Sequence, residues 1–208
     1  MRGNLSLLKE NIVSVVGSRT ASKEGIEKAY RLSRYLGRAG IVVASGLARG
    51  IDTAAHTASL DYNYLTISVI GTPLTKVYPK ENADLQRRIG EAGLVVSQFP
   101  PSAPVQRWHF PMRNAIMSGI SLATVIVEAG ETSGALKQNR LVFIPQSALD
   151  NENISWPKRY IKRKGAYKFS KLEELIIMLE KARIIPSAYS KNTPQDEGSD
   201  IVHVYKLE

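Results

Sequence analysis

Cysteine is absent from the chain, and histidine occurs only as His56, His109 and His203. Disulfide staples and thiolate metal centres are thereby excluded, and three scattered imidazoles make a poor ligand set, so no metal is expected. No apolar run approaches the roughly 20 residues needed to cross a bilayer. The opening MRGNLSLLKEN has no long apolar segment of the kind an export signal carries. A reducing, cytoplasmic setting without membrane contact is the resulting expectation. Two phosphate fingerprints are missing as well. G-x-G-x-x-G would have to follow the first strand, where the chain has Gly17-Ser18-Arg19-Thr20-Ala21-Ser22, and G-x-x-x-x-G-K-[ST] occurs nowhere. Hydride transfer from a dinucleotide and P-loop NTPase chemistry are excluded on that basis, and no cofactor is expected. Acid is the scarcer charge, 19 residues against 28 basic ones, for a net +9. A fold does not require that excess, but a polyanionic partner would use it.

What the chain does contain is organised around residues 12–52. The β-branched run Ile12-Val13-Ser14-Val15-Val16 stops at Gly17-Ser18-Arg19, and Ile41-Val42-Val43-Ala44 stops at Ser45-Gly46-Leu47-Ala48-Arg49-Gly50. Between them, Lys23 to Ala39 places Ala29, Leu32, Tyr35, Leu36 and Ala39 on one helical face. Strand, turn, helix and strand make a βαβ unit whose two parallel strands open at the same sheet edge, where open α/β sheets take ligands.

Beyond this unit, Asp52 reads as the N-cap of a helix through Leu60. Strands are expected over Leu65–Ile70, Leu94–Ser97, Thr124–Glu128 and Leu141–Ile144. Helices are expected over Asn82–Ala92, closed by Gly93 as its C′ residue, and over Asn114–Leu122. The Pro100–Pro104 stretch must be extended loop. Only Gly130–Arg140 separates the last two strands, which is short for a crossover between parallel neighbours. Either the sixth strand is antiparallel or displaced, or a crossover helix is missing. Residues 156–169 interleave bases with aromatics and contain no acid, a pattern that suits nucleic acid or an ordinary solvated face. Ser170 reads as the cap of a helix over Lys171–Ala182, whose stripe Leu172, Leu175, Ile176 and Leu179 is a candidate dimer interface. Residues 186–200 read as a polar tether and 201–205 as an edge strand. The expected organisation is therefore a core over 1–183 and a tail over 184–208. The fold class is α/β, an extended Rossmann-like, mostly parallel sheet with helices on both faces.

The sheet edge reads as an anion site. Arg19 stands directly after a strand as a forked, permanently charged donor, with Gly17 and Ser18 completing a cradle. Ser45, Gly46 and Arg49 repeat the arrangement one strand over, and Arg113-Asn114 adds a third. Taken singly, each glycine turn reads equally as a plain tight turn with its arginine in solvent or as a phosphate cradle; taken together, the three favour phosphate. Ser133-Gly134 is either a donor pair or only a turn. His56 fits a structural hydrogen bond with Asp52 better than catalysis, and Trp108 and Phe110 fit packing anchors better than base-stacking surfaces.

Gly17-Ser18-Arg19, Ser45-Gly46-Leu47-Ala48-x-Gly50-Ile51-Asp52 with Ala55-His56, Tyr78-Pro79, Phe110-Pro111-x-Arg113-Asn114, and Glu128-Ala129 followed by Ser133-Gly134 together resemble the DprA/Smf family, from about Val13 to Phe169. The resemblance implies an extended Rossmann-like sheet in a DNA-processing protein. It also implies binding and protection of single-stranded DNA, loading of a RecA-type recombinase in natural transformation, homodimerisation and no catalysis. By motif match the DNA-facing residues are Ser18, Arg19, Ser45, Gly46, Arg49, Arg113 and Asn114. The chain departs from the family at Ala115, where a second arginine is usual, and at Ser97-Gln98, where Ser-Glu is usual. No preceding helical domain or winged-helix tail is recognisable, so it reads as a core-only or divergent member. Two other functions compete: a sensor of a small nucleotide at the same cradle, and a nucleotide phosphoribohydrolase of the Lonely-Guy type. The latter carries P-G-G-x-G-T-x-x-E; the stretch from Ala129 to Gln138 has no acid near its end.

Overall fold

A computed structural model describes residues 1–128 and 141–186. Eight strands among the described residues form one sheet: β1 (Arg2–Gly3), β2 (Ile12–Val16), β3 (Val42–Ser45), β4 (Thr66–Val69), β5 (Leu94–Val96), β6 (Ala123–Ile126), β7 (Leu141–Pro145) and β8 (Ala166–Phe169). Their spatial order is β1-β5-β4-β3-β2-β6-β7-β8, and all neighbours are parallel except the β1–β5 pair. The α-helices among the described residues are α1 (Lys23–Arg38), α2 (Ile51–Asp61), α3 (Ala83–Ala92), α4 (His109–Ile120), α5 (Gln146–Asp150), α6 (Trp156–Tyr160) and α7 (Leu172–Lys181). The expected extended Rossmann-like α/β class is the observed one.

Strand parity builds the two layers. Val13 and Val15 of β2 face one side, where Ala29, Leu32 and Leu36 of α1, Ile51, Ala54 and Ala55 of α2, and Leu175, Ile176 and Leu179 of α7 cover them. Ile12 and Val16 face the other side, with Met117 of α4, Ala148 of α5 and Trp156 of α6. Because both faces are covered, every position of β2, β3, β4 and β6 is buried, the small polar Ser14, Ser45, Thr66, Ser68 and Thr124 included.

Several expectations are corrected. The sixth expected strand, β7, is neither antiparallel nor displaced: it pairs parallel with β6, Ala123 opposite Leu141. Most of the junction, with Ser133 and Gly134, lies outside the described residues. Asp52 does not cap α2. Gly50 does, at φ +72°, a left-handed backbone that glycine adopts without strain, and Asp52 sits inside the first turn. Gly93 does not take the left-handed conformation of a C′ glycine. It stands at the C-cap of α3 with φ −138°, where a Cβ would collide with the Thr66 carbonyl. Helix α4 begins at His109, five residues before the expected start. Lys171 rather than Ser170 precedes α7, and the Ser170 N–H donates to Glu174. Leu175, Ile176 and Leu179 of the α7 stripe are buried in the first layer with Leu172 partly buried, so these side chains are taken up by the chain's own core. Trp156 and Tyr160 pack into the second layer, so those aromatics of the basic stretch are anchors. Two strands carry no expectation from sequence: the two-residue β1, and β8, which the lysines in and around it disguise. Ile184 and Ile185 are buried, extending the packed unit past residue 183. The tether from 187 and the strand at 201–205 lie outside the described residues.

Candidate functional site

The carboxyl ends of β2, β3, β4 and β6 meet at one edge. Leaving β2, the chain is clamped: the Ser18 N–H donates to the Glu128 carbonyl at 2.9 Å and the Ser18 carbonyl accepts from Ile51 at 3.3 Å. A Cβ on Gly17 would stand 2.5 Å from Ile51 Cγ1 and 2.8 Å from the Glu128 carbonyl, so only glycine lets α2 approach this closely. The Ser18 hydroxyl accepts from the Thr20 N–H at 3.2 Å. With its main chain held, Arg19 projects into solvent, its guanidinium 5.6 Å from the centre of the Phe110 ring in cation–π range.

The second turn differs from expectation. The Ser45 hydroxyl is fully buried and donates to the Val15 carbonyl at 2.7 Å. The Gly46 N–H, expected as a phosphate donor, instead donates to Asp52 Oδ2 at 3.1 Å, and the Ala48 N–H joins it at 3.2 Å. The chain's own carboxylate fills the nest. Glu128 does the same at the start of α1, accepting from the Ser22 N–H at 3.1 Å and the Ser22 hydroxyl at 2.6 Å. Helix N-termini and amide-lined turns are ready anion sites, and here the start of α1 and the 46–48 turn each already hold one of the chain's own carboxylates.

Past the nest, Leu47 is buried at φ +61°, a strained conformation for leucine, and Asn82 donates to its carbonyl at 3.0 Å and to the Thr53 hydroxyl at 2.9 Å. This scaffold leaves Arg49 exposed at the rim, ion-paired with the equally exposed Glu81.

Arg113 is the largest surprise. Expected at the surface, it is only 4% exposed. Its Nη1 donates to the Val69 carbonyl at 2.5 Å, and the guanidinium lies in the space a Gly46 side chain would occupy. Burial pushes the Asp52 carboxyl up and the Arg113 guanidinium down from their ordinary values, and each charge partly restores the other. Arg19 is near enough for its charge also to oppose ionisation of Arg113. Asn114 is half-buried on the next position. His56 is fully buried and bonds Thr66 through Nδ1 at 2.8 Å, not Asp52. Burial first, then the Arg113 charge, lowers its pKa to about 3, so it stays neutral.

Arg19, Arg49 and Arg113 therefore share one edge, the first two outward and the third beneath. Beside them lies an aromatic surface that residue spacing does not announce. Tyr78, half exposed, tilts against Phe110 at 5.3 Å. Phe110 lies over Gly71, where a Cβ would come within 2.7 Å of the ring. Trp108 is 57% exposed and meets His109 edge-on at 4.3 Å, while His109 stacks on Phe99 at 3.7 Å. Val77, Val105 and Met112 are also exposed. Nothing along the chain signals that Tyr78 meets Phe110 or that Phe99 meets Trp108 and His109.

The edge and the sheet order define a Rossmann-like α/β protein whose ligand edge is cationic and aromatic instead of built for a dinucleotide. The family model described as DNA recombination-mediator protein A matches residues 1–180. The chain belongs to that family, the DprA/Smf DNA-processing proteins. It is 44% identical over 157 residues to the DNA processing protein DprA of Streptococcus pneumoniae, covering 72% of this chain and 55% of that one. The crystal structure of DprA from S. pneumoniae superposes with a TM-score of 0.73 at 37% identity, over 85% of this chain and 64% of that one. DNA processing protein A of Helicobacter pylori, whose structure concerns its single-stranded DNA binding mode, shares the fold with a TM-score of 0.74 at 24% identity, over 87% and 86% of the two chains. The chain spans about half the length of the curated relatives it matches. No helix among the described residues is long and apolar enough to cross a membrane.

Proposed function

We propose that the chain binds single-stranded DNA along the carboxyl edge of its sheet, without catalysis. The observation that carries this is the pairing of outward cations with exposed rings where the enclosed anion nests are already filled. Arg19 and Arg49, with Ser18 and Asn114 beside them, meet successive phosphates, and Phe110, Tyr78 and Trp108 offer faces on which bases stack. Stacking accepts every base, so little sequence preference is expected. A small-nucleotide sensor needs an enclosed phosphate pocket, and Asp52 and Glu128 hold those positions with carboxylates. A hydrolase needs an accessible acid or base. Among the described residues the acids at this edge are already engaged, Asp52 and Glu128 by N–H and hydroxyl donors and Glu81 by Arg49, and His56 is sealed and neutral, so we read the site as binding only.

Following the family resemblance, we further propose cytoplasmic action, homodimerisation and delivery of the strand to a RecA-type recombinase, with the packed unit as the binding core. Light scattering would give the oligomeric state, and recombinase filament formation on coated DNA would test delivery.

Fluorescence anisotropy with oligothymidylates of graded length, across a salt series, tests the central reading. Affinity should rise with length and fall with salt. Removing one cation that neutralises a phosphate should reduce the log–log salt slope by about 0.7, so Arg19→Ala and Arg49→Ala should each flatten it by that step. Affinity independent of length, or mononucleotides binding as well as oligomers, would overturn the proposal.

A further inference from the structure

Arg113 carries the most unexplained chemistry in the described structure: a buried guanidinium at the ligand edge whose charge no solvent-borne anion can reach directly. It touches three segments at once. On α4 it follows Phe110 by three residues, one turn further along the same helix face. Across the sheet edge it donates to Val69 at the end of β4, just before Gly71, the glycine over which Phe110 lies. Behind the second turn it occupies the room left by Gly46 and faces Asp52, whose carboxylate shapes the loop leading to Arg49. Among the described residues its Nε has no partner, so the head is held by shape and by these contacts.

We propose that Arg113, with Asp52, is a positioning residue for single-stranded DNA: it fixes Phe110 and the Arg49 loop relative to each other and makes no phosphate contact itself. The inference rests on the single-strand reading above and deepens it. A guanidinium behind a glycine turn cannot meet a backbone that lies in front of it. Yet this one side chain ties the aromatic platform, the β4 exit and the rim loop together. Residue type alone would class it with Arg19; the structure separates the two roles.

Salt dependence distinguishes them. For Arg113→Met combined with Asp52→Asn, which removes both buried charges together, oligothymidylate affinity should fall about tenfold, the equivalent of one weakened base stack, while the salt slope keeps its wild-type value. Arg19→Ala should instead flatten the slope. A slope lowered as in Arg19→Ala would make Arg113 a contact residue and overturn the proposal; a folded variant with unchanged affinity and slope would make the pair purely structural and overturn it equally. Should the double variant fail to fold, wild-type protein decides. Under phenylglyoxal, Arg19 and Arg49 should react and be protected by DNA, while Arg113 stays unmodified with or without it. Modification of Arg113 that DNA suppresses would refute positioning. If wild-type protein shows no length-dependent DNA affinity at any salt, the single-strand reading itself has failed, and this inference with it.

Discussion

Replacing Gly46 by alanine places a Cβ 1.9 Å from Arg113 Nη1, 2.3 Å from Cζ and 2.4 Å from Nη2, where ordinary contact begins at 3.4 Å. The guanidinium must retreat by well over an ångström. An exposed arginine would swing aside at little cost, but this one is 4% exposed and bonded to Val69, with Asp52 as its counter-charge. Displacing it strands a buried carboxylate and a buried carbonyl, a disruption worth about 3–5 kcal/mol when one partner of a buried pair is removed. A domain's whole stability is about 5–15 kcal/mol, and for this chain length each kcal/mol moves the melting point by about 2–4 °C. Gly46→Ala should therefore melt roughly 6–20 °C early. Gly40→Ala is the informative control. Gly40 has φ +76° but nothing within 4 Å of its missing side chain, so it should lose only the left-handed strain of about 1–2 kcal/mol. Urea unfolding followed by circular dichroism gives both values, with equal m-values expected. In the Arg113→Met background the Gly46→Ala cost should largely vanish, a coupling of more than about 1 kcal/mol. A Gly46→Ala protein more stable than Gly40→Ala, or additive effects in the double variant, would refute the reasoning.

Trp108→Ala should weaken oligothymidylate binding by about 1–3 kcal/mol and leave melting nearly unchanged, because the indole is mostly exposed; paired anisotropy and calorimetry would check it. Glu81→Gln should strengthen DNA binding modestly and steepen its salt dependence by releasing Arg49, since the two now pair at the rim. His56 has a folded pKa of about 3 against 6.5 free, so the unfolded chain binds more protons between those values and stability falls as pH drops through 6.5. The slope approaches about 1.4 kcal/mol per pH unit. The raised Asp52 carboxyl works in the opposite sense, so the comparison is wild type against His56→Gln, which should show the shallower acid loss in urea titrations.

The strands that β-branched runs announce are legible because both faces of a parallel sheet are buried, leaving short runs of β-branched and small residues without charges. The α1 stripe is equally plain. What escapes has physical reasons. Two residues suffice for β1 because it only edges the sheet, and β8 carries Tyr167 and Lys168 outward, so neither has an apolar signature. Helix α4 begins before Pro111, which fits a first turn because its missing N–H is not needed there. At the site, Arg19 and Arg49 stand on one edge as their strand exits imply. Arg113 is misjudged from sequence because residue type predicts solvent for a guanidinium, and only the room left by Gly46 reveals otherwise. Ser45 and Asp52 are misjudged for a related reason: a serine–glycine turn offers donors, and nothing local says that a carboxylate six residues beyond Gly46 will take them.

The pinned rim has a kinetic consequence. Because Asn82, Thr53 and Asp52 hold the 46–50 loop in place before any ligand arrives, little conformational freedom is left to lose on docking. Arrival of a strand should then be governed by diffusion and long-range attraction, so ionic strength will slow the on-rate. Departure will instead follow how quickly rings and bases unstack, making residence time the quantity that temperature and ring substitutions control.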